Sequence, residues 1–224
     1  MSFNILCIDT STILCSVSIL INNKKFNTFK ICNNNHSKEV FVLIKNLLYK
    51  SNIKLNNINL IACGIGPGSF TGIRIAIGIA NGISLGINVP VIGISTLAII
   101  AEQVWRKKNS KKVIVSMKAN STEVYFAKYI KRNDTWTGID TEVILKEKKI
   151  KNTIKKITGT WIMAGTSQIK GFKKNKLNIK NSSIEFPLAK DIIPFALLKT
   201  KNIKNLKNKI LYPNYLKKEI SKFY

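Results

Sequence analysis

Phe3-Asn4-Ile5-Leu6-Cys7-Ile8-Asp9-Thr10-Ser11-Thr12 is the stretch whose reading decides the fold of this chain. An apolar run with little alternation, closed by Asp-Thr-Ser-Thr, reads as a buried strand ending in a polar turn. Residues 15–21 and 25–31 follow as strands, and Asn22-Asn23 between them suits a two-residue hairpin, because asparagine tolerates positive φ. Ser37 then offers a helix N-cap with Glu39 in the first turn. Val40, Ile44, Leu47 and Leu48, with Phe41 beside them, make an apolar stripe to about Tyr49. Residues 59–65 read as another buried strand. A Gly/Pro/Ser loop leads into a helix over about 70–85, residues 89–94 form a strand, and Ser95 caps a helix running to about Trp105.

The first half therefore reads β-β-β-α-β-α-β-α. An antiparallel meander feeding parallel crossovers is the ribonuclease-H-like plan, the building block of the actin-like (ASKHA) α/β superfamily. Residues 106–112 form a charged linker, and the expected division is an N-terminal subdomain over 1–108 and a smaller one over 109–224. Residues 113–117 and 123–130 read as strands that begin a second, shorter and degenerate copy of the same unit. Residues 146–180 are rich in Lys and Asn and give weak signals, 188–199 reads as a helix, and 211–217 as an extended ending that carries Tyr-Pro-Asn-Tyr.

The formal charge is +26, from 37 Lys and Arg against 11 Asp and Glu. Residues 1–110 hold 11 basic and 3 acidic side chains, and the remainder 26 and 8. A field of this size attracts nucleic acid. A basic drift in composition spread over solvated faces gives the same numbers. Nothing in residues 1–15 reads as a secretory leader, since Asn4 and Asp9 interrupt the apolar start. The long apolar tract 73–101 is broken by Arg74, Asn81, Asn88 and Pro90, so it reads as two helices around a strand rather than a membrane span. The expected setting is the cytoplasm. Cys7, Cys15, Cys32 and Cys63 lack metal-ligand spacing and sit in apolar runs, as buried free thiols of a reducing compartment do. His36 is the one histidine, so no metal site is expected.

Gly64-Ile65-Gly66-Pro67-Gly68-Ser69-Phe70-Thr71-Gly72-Ile73-Arg74 lies between a strand and a helix, where phosphate-binding loops sit. It matches none of the common templates: no Lys follows Gly72, Ser69 stands where a dinucleotide loop needs glycine, and Pro67 and Thr71 exclude a nucleophile elbow. The plain reading is a tight turn with Ser69 as N-cap. In the helix that follows, Gly78, Gly82 and Gly86 share one face and Ala76 and Ala80 another. Each glycine costs about 1 kcal/mol of helix propensity relative to alanine. Close packing against the chain's own sheet, or against a helix of another subunit, would offset that cost. Catalytic groups are sparse. Asp9, Glu39 and Glu102 are the acids of the first half, and Asp9 is the strongest single candidate, as a cleft residue or as a polar turn.

Ile5 to Thr12, Cys15-Ser16-Val17 and Gly66 to Arg74 closely resemble the bacterial TsaB family of threonylcarbamoyladenosine biosynthesis proteins. The resemblance continues through Gly78, Ala80, Gly82, Gly86 and Pro90 to Val91-Ile92-Gly93-Ile94-Ser95-Thr96-Leu97. His36 falls where that family has a histidine opening its first long helix, and Pro213-Asn214-Tyr215-Leu216-Lys217 looks like its ending. The match is strong over about 1–105 and patchy beyond. Where the family carries Asp-Ala-Arg-x-Gly-Glu-Val-Tyr, this chain has Lys118-Ala119-Asn120-Ser121-Thr122-Glu123-Val124-Tyr125, without the acid, the arginine and the glycine.

The resemblance implies a non-catalytic scaffold of the complex that places a threonylcarbamoyl group on adenosine 37 of tRNAs reading codons that begin with A. It implies a TsaD-like catalytic subunit and a TsaE-like ATPase as partners, tRNA held through the complex, and a surface that could also support homodimers. ATP and a metal ion would be used through the partner subunits and not by this chain alone. The implied partner interface is Val40, Phe41, Ile44, Leu48, Arg74, Gly78, Gly82 and Gly86. The implied remnant of a nucleotide cleft is Asp9, Thr10, Ser11, Gly66, Gly68, Ser69 and Thr71. An actin-like ATPase, or the transferase itself, is the rival reading, and an RNA binder driven by charge is the third.

Overall fold

The computed structural model describes residues 3–155, 157–169, 172–174, 176–200 and 209–216. The described residues pack as two compact units, those within 3–99 and 187–214, and those within 100–186 with 215–216. The first unit opens with β1 (Ile5–Asp9), β2 (Leu14–Ile21) and β3 (Lys24–Ile31), followed by α1 (His36–Lys50), β4 (Leu60–Gly64), α2 (Phe70–Gly86) and β5 (Val91–Ile94). Asn22 and Asn23 take φ of 46° and 65°, so the hairpin between β2 and β3 turns as the asparagine pair requires. The sheet order is β3-β2-β1-β4-β5. β1 runs antiparallel to β2 and parallel to β4, with Ile8 opposite Val17 and Cys63. β1 and β4 are buried along their whole lengths, which explains why both read as unbroken apolar runs. β3, at the sheet edge, carries its lysines outward.

One face of this sheet meets α1 and α2, where Leu6, Ile8, Val17 and Ile19 pack with Val40, Leu43, Ile44, Leu47, Ile73, Ala76, Ile77 and Ala80. The helix α1 begins at His36 and not after Ser37. Asn35 precedes it without a side-chain cap to the backbone, and its amide instead donates to Glu39. What fixes the helix start is the His36 ring, whose Nε2 donates to the Thr12 carbonyl at 2.8 Å. Ser69 does cap α2, accepting from the Gly72 N–H at 3.2 Å.

The helix α3 (Thr96–Lys108) carries Ser95 at its start, whose hydroxyl accepts from the Leu97 N–H. It runs on through Arg106, Lys107 and Lys108, which form its last turn, where cations are favoured, and Lys112 already belongs to the next strand. The expected linker 106–112 therefore shrinks to residues 109–111. The second unit contains β6 (Lys112–Lys118), β7 (Glu123–Arg132), β8 (Thr135–Thr137), β9 (Val143–Lys146), α4 (Ile150–Ile154), β10 (Gly159–Ala164), β11 (Phe172–Lys174) and β12 (Leu177–Asn181). The order β8-β7-β6-β10-β12 repeats that of the first sheet, with the same antiparallel and parallel senses. It is the expected second copy. Its helical layer is reduced, with the five-residue α4 against the fifteen residues of α1. Its sheet is not reduced, because β9 and β11 bring it to seven strands.

The chain then returns to the first unit. A 3-10 turn (Ala189–Asp191) and α5 (Ile193–Thr200) cover the second face of the first sheet, where Ala189, Ile192, Ile193 and Ala196 pack on Ile5, Cys7, Leu60 and Ala62. A cut at 108/109 separates these helices from the strands they cover, so the packed units differ from the expected 1–108 and 109–224. Lys217, the last residue of the expected extended ending, lies outside the described residues. Among the described residues no helix is long and apolar enough to cross a membrane. The four cysteines are buried free thiols, and burial pushes those of Cys7 and Cys63 upward and that of Cys15 up to about 12.

Candidate functional site

The end of β1 and the glycine loop are built against each other. The Ser11 N–H and hydroxyl donate to Asp9 Oδ1 at 3.1 and 2.9 Å, Thr10 Oγ1 donates to the Gly72 carbonyl at 2.6 Å, and the Ser69 N–H donates to the Ser11 carbonyl at 2.8 Å. A Cβ on Gly64 would overlap Asp9 Oδ2, one on Gly68 the Ser11 carbonyl oxygen, and one on Gly72 the Thr10 carbonyl oxygen. These glycines, four residues apart, let the loop lie directly on three consecutive residues of the β1 turn. Asp9, Thr10 and Ser11 are buried, and among the described residues Asp9 Oδ2 has no hydrogen-bond partner. Burial raises the Asp9 carboxyl to about 6, against the Ser11 bonds that pull it down.

The side of the loop that faces β1 is thus filled by the chain itself. Gly68, Ser69 and Gly72 lie on the Asp9–Ser11 turn, whereas Gly66 is set against Ile73 and the Asn214 backbone. Ser69 and Thr71 are exposed, with Ser69 engaged as the cap.

On the outer side of α2 the situation reverses. Among the described residues, a Cβ on Gly78, Gly82 or Gly86 would meet nothing within 4 Å. The three glycines line a groove of about 440 Å³ with Phe41, Leu55, Ile79, Ile83 and Ile87. Phe41 is 57% exposed, and Phe70 and Leu85 are exposed on the same helix as the glycines. The Arg74 guanidinium stacks over the Phe70 ring at 3.3 Å and donates to the Phe70 carbonyl at 3.1 Å. Of the interface residues implied by the resemblance, Val40 and Ile44 do not reach this surface. They are 0% and 5% exposed, packed on the chain's own sheet, and Leu48 is half-buried beside them. The face that α1 leaves open carries Phe41, Val42 and Tyr49. Periodicity locates the apolar stripe of α1 and says nothing of which apolar residues lie outside it.

The family model of TsaD, tRNA N6-adenosine threonylcarbamoyltransferase, matches residues 28–220. The tRNA threonylcarbamoyladenosine biosynthesis protein TsaB of Buchnera aphidicola (Schizaphis graminum) is 40% identical over 87% of this chain and 93% of its own. The TsaB protein of Escherichia coli K12 is 36% identical over 86% and 85%. The chain belongs to the TsaB family. YeaZ from Pseudomonas aeruginosa, a solved structure, superposes with a TM-score of 0.83 at 25% identity, covering 96% of this chain and 100% of that one.

Residues 118–125 form a β-hairpin turn between β6 and β7. Asn120 holds the turn: its Oδ1 accepts from the Thr122 and Glu123 N–H groups at 2.9 and 2.8 Å, and its amide donates to Glu123 Oε2 at 2.9 Å. This is an Asx-type turn that needs no glycine. The second unit of this TsaB-family chain also buries an ion pair that its sequence did not signal. Lys131 Nζ meets Glu102 Oε2 at 2.5 Å, the Trp136 indole N–H donates to the same oxygen at 2.6 Å, and the Trp105 and Trp136 rings lie 5.5 and 5.0 Å from the ammonium. A carboxylate and an amine 29 residues apart give no local pattern.

Proposed function

We propose that this TsaB-family chain is a non-catalytic scaffold in threonylcarbamoyladenosine biosynthesis. It serves the transfer of a threonylcarbamoyl group to adenosine 37 of tRNAs that read codons beginning with A. In this reading it works in the cytoplasm and seats a TsaD-like catalytic subunit on the outer face of α2, with a TsaE-like ATPase completing the assembly. ATP and a metal ion act through those partners, and tRNA is held through the complex, with help from the basic second unit. The carrying observation is the bare glycine row of Gly78, Gly82 and Gly86 beside Phe41. Three helix glycines cost the free chain about 3 kcal/mol in propensity, and among the described residues nothing offsets it by packing on them. A helix of another subunit can approach the bare backbone closely and bury the surrounding isoleucines. A second copy of this chain is the competing occupant when the partner is absent.

An omission experiment tests the reading. Threonylcarbamoyl transfer is reconstituted from threonine, bicarbonate, ATP, tRNA and the other proteins of the pathway from the same organism, with and without this chain. Product is expected only with it, and no ATP turnover from the chain alone. Equal product without it, or turnover by the isolated chain, returns the ATPase and transferase readings. Gly82→Leu is expected to abolish both complex formation and the stimulation.

A further inference from the structure

We infer that the chain's C-terminal segment is a second wall of the partner surface on α2, with Tyr212 as a contact residue. The inference rests on the proposed seating of a TsaD-like helix on the glycine row. Residues 209–214 have no regular structure, yet they are held at Leu211 and at Asn214. The Asn81 side chain clamps Leu211 with both of its groups: Nδ2 donates to the Leu211 carbonyl at 3.2 Å and Oδ1 accepts from the Leu211 N–H at 3.0 Å. Three residues on, the Asn214 N–H donates to the Ile65 carbonyl at 2.8 Å, at the entrance of the glycine loop. The segment therefore runs alongside α2 from its middle toward its N-terminal end, in the opposite direction to the helix.

Asn81 stands three residues after Gly78 and one before Gly82, so the clamp holds the segment next to the glycine row. Phe41 of α1 lines the groove along the row, and Leu211 is held at Asn81 on the flank of the same helix. Over 210–213 exposure alternates as in an extended chain: Leu211 packs against the core cluster beneath α2, and Tyr212, the next residue, is 73% exposed. A rigid aromatic ring held at the margin of an apolar, small-residue surface fits an apolar helix seated on that surface, and tyrosine is among the residues that dominate such contacts. The double amide clamp explains why an irregular segment keeps one place: it orders the backbone before the partner arrives, which lowers the entropic cost of binding.

The test measures the dissociation constant of the full chain for its TsaD-like partner, with thermal unfolding of each variant as control. Tyr212→Ala removes an exposed ring and is expected to leave the melting temperature in place while weakening binding at least about tenfold. Asn81→Ala frees the segment and is expected to weaken binding several-fold. Gly82→Leu serves as the reference for the surface itself. If Gly82→Leu abolishes binding and either Tyr212→Ala or Asn81→Ala binds like the unaltered chain, the second wall is overturned and the seating on α2 stands. If Gly82→Leu binds normally, the seating falls and the second wall with it.

Discussion

Asp9 is a carboxylate enclosed with one oxygen satisfied by Ser11 and the other, among the described residues, without a hydrogen-bond partner. Its position at the end of the first strand invites a cleft role, and its surroundings give it a different one: it is the polar pivot on which Gly64 rests. Its folded value is raised to about 6 from an ordinary 3.8. Below about pH 4 the group is protonated in both states and imposes no penalty. As the pH rises from about 4 to 6 the unfolded chain ionises first, and stability falls; above 6 the loss is complete and constant. A rise of roughly two units corresponds to a loss on the order of 3 kcal/mol. Asp9→Asn keeps an acceptor for Ser11 and cannot ionise, so its stability should stay flat over that window where the unaltered chain declines. Urea unfolding at pH 4, 5, 6 and 7 measures this, and the same decline in both proteins would assign the pH dependence to other groups.

The helix α2 contains two kinds of glycine that one sequence pattern cannot separate. Gly72 lies against the Thr10 carbonyl, whereas Gly82, among the described residues, faces open space. The same substitution should therefore have opposite signs at two places on one helix. Gly82→Ala is expected to stabilise the free chain by about 0.5–1 kcal/mol through helix propensity, and Gly72→Ala to destabilise it by about 2 kcal/mol or more through forced displacement of the β1 turn. Gly82→Ala should also weaken the complex, so that stability and binding move apart. Chemical denaturation of both variants, with an affinity measurement on the first, checks the pair; destabilisation by Gly82→Ala would mean that the face is packed within the chain. Much of this level was legible beforehand, because it is local: the unbroken apolar runs of β1 and β4, the Asn22-Asn23 turn and the Ser69 cap each depend on a few adjacent residues. Ser37 misled because the start of α1 is set by His36 reaching back to Thr12, 24 residues earlier in the chain. Val40 and Ile44 misled because an apolar stripe marks a buried face without saying what buries it.

Across the whole molecule, the repeated strand order of the two sheets was readable only as far as its first hairpin in the second copy. The later strands β10 and β12 lie in a Lys- and Asn-rich stretch that hides the hydrophobic period, although Trp161, Met163, Leu177 and Ile179 form its buried positions. The return of the described residues within 187–214 to the first unit was not readable either, since it depends on apolar residues such as Ile192 and Ile193 finding strands more than a hundred residues away. Charge is the remaining property of the whole chain. With +26 in 224 residues, mutual repulsion and attraction to polyanions both weaken as salt rises. What separates a tRNA-holding surface from a uniformly solvated one is whether particular lysines release counterions on binding. Lys146, Lys148, Lys151 and Lys155 are exposed around α4 and its approach, and they suit that comparison. Their replacement by glutamine in the assembled complex is expected to reduce the slope of log K for tRNA against log salt by about 0.7–0.9 for each lysine that meets a phosphate, and by at least about 1 in total. Binding titrations between 50 and 300 mM salt (about one decade at most in concentration) suffice to read that change. An unchanged slope, with the complex intact, would assign these four lysines to solvent and leave tRNA to the partner subunits.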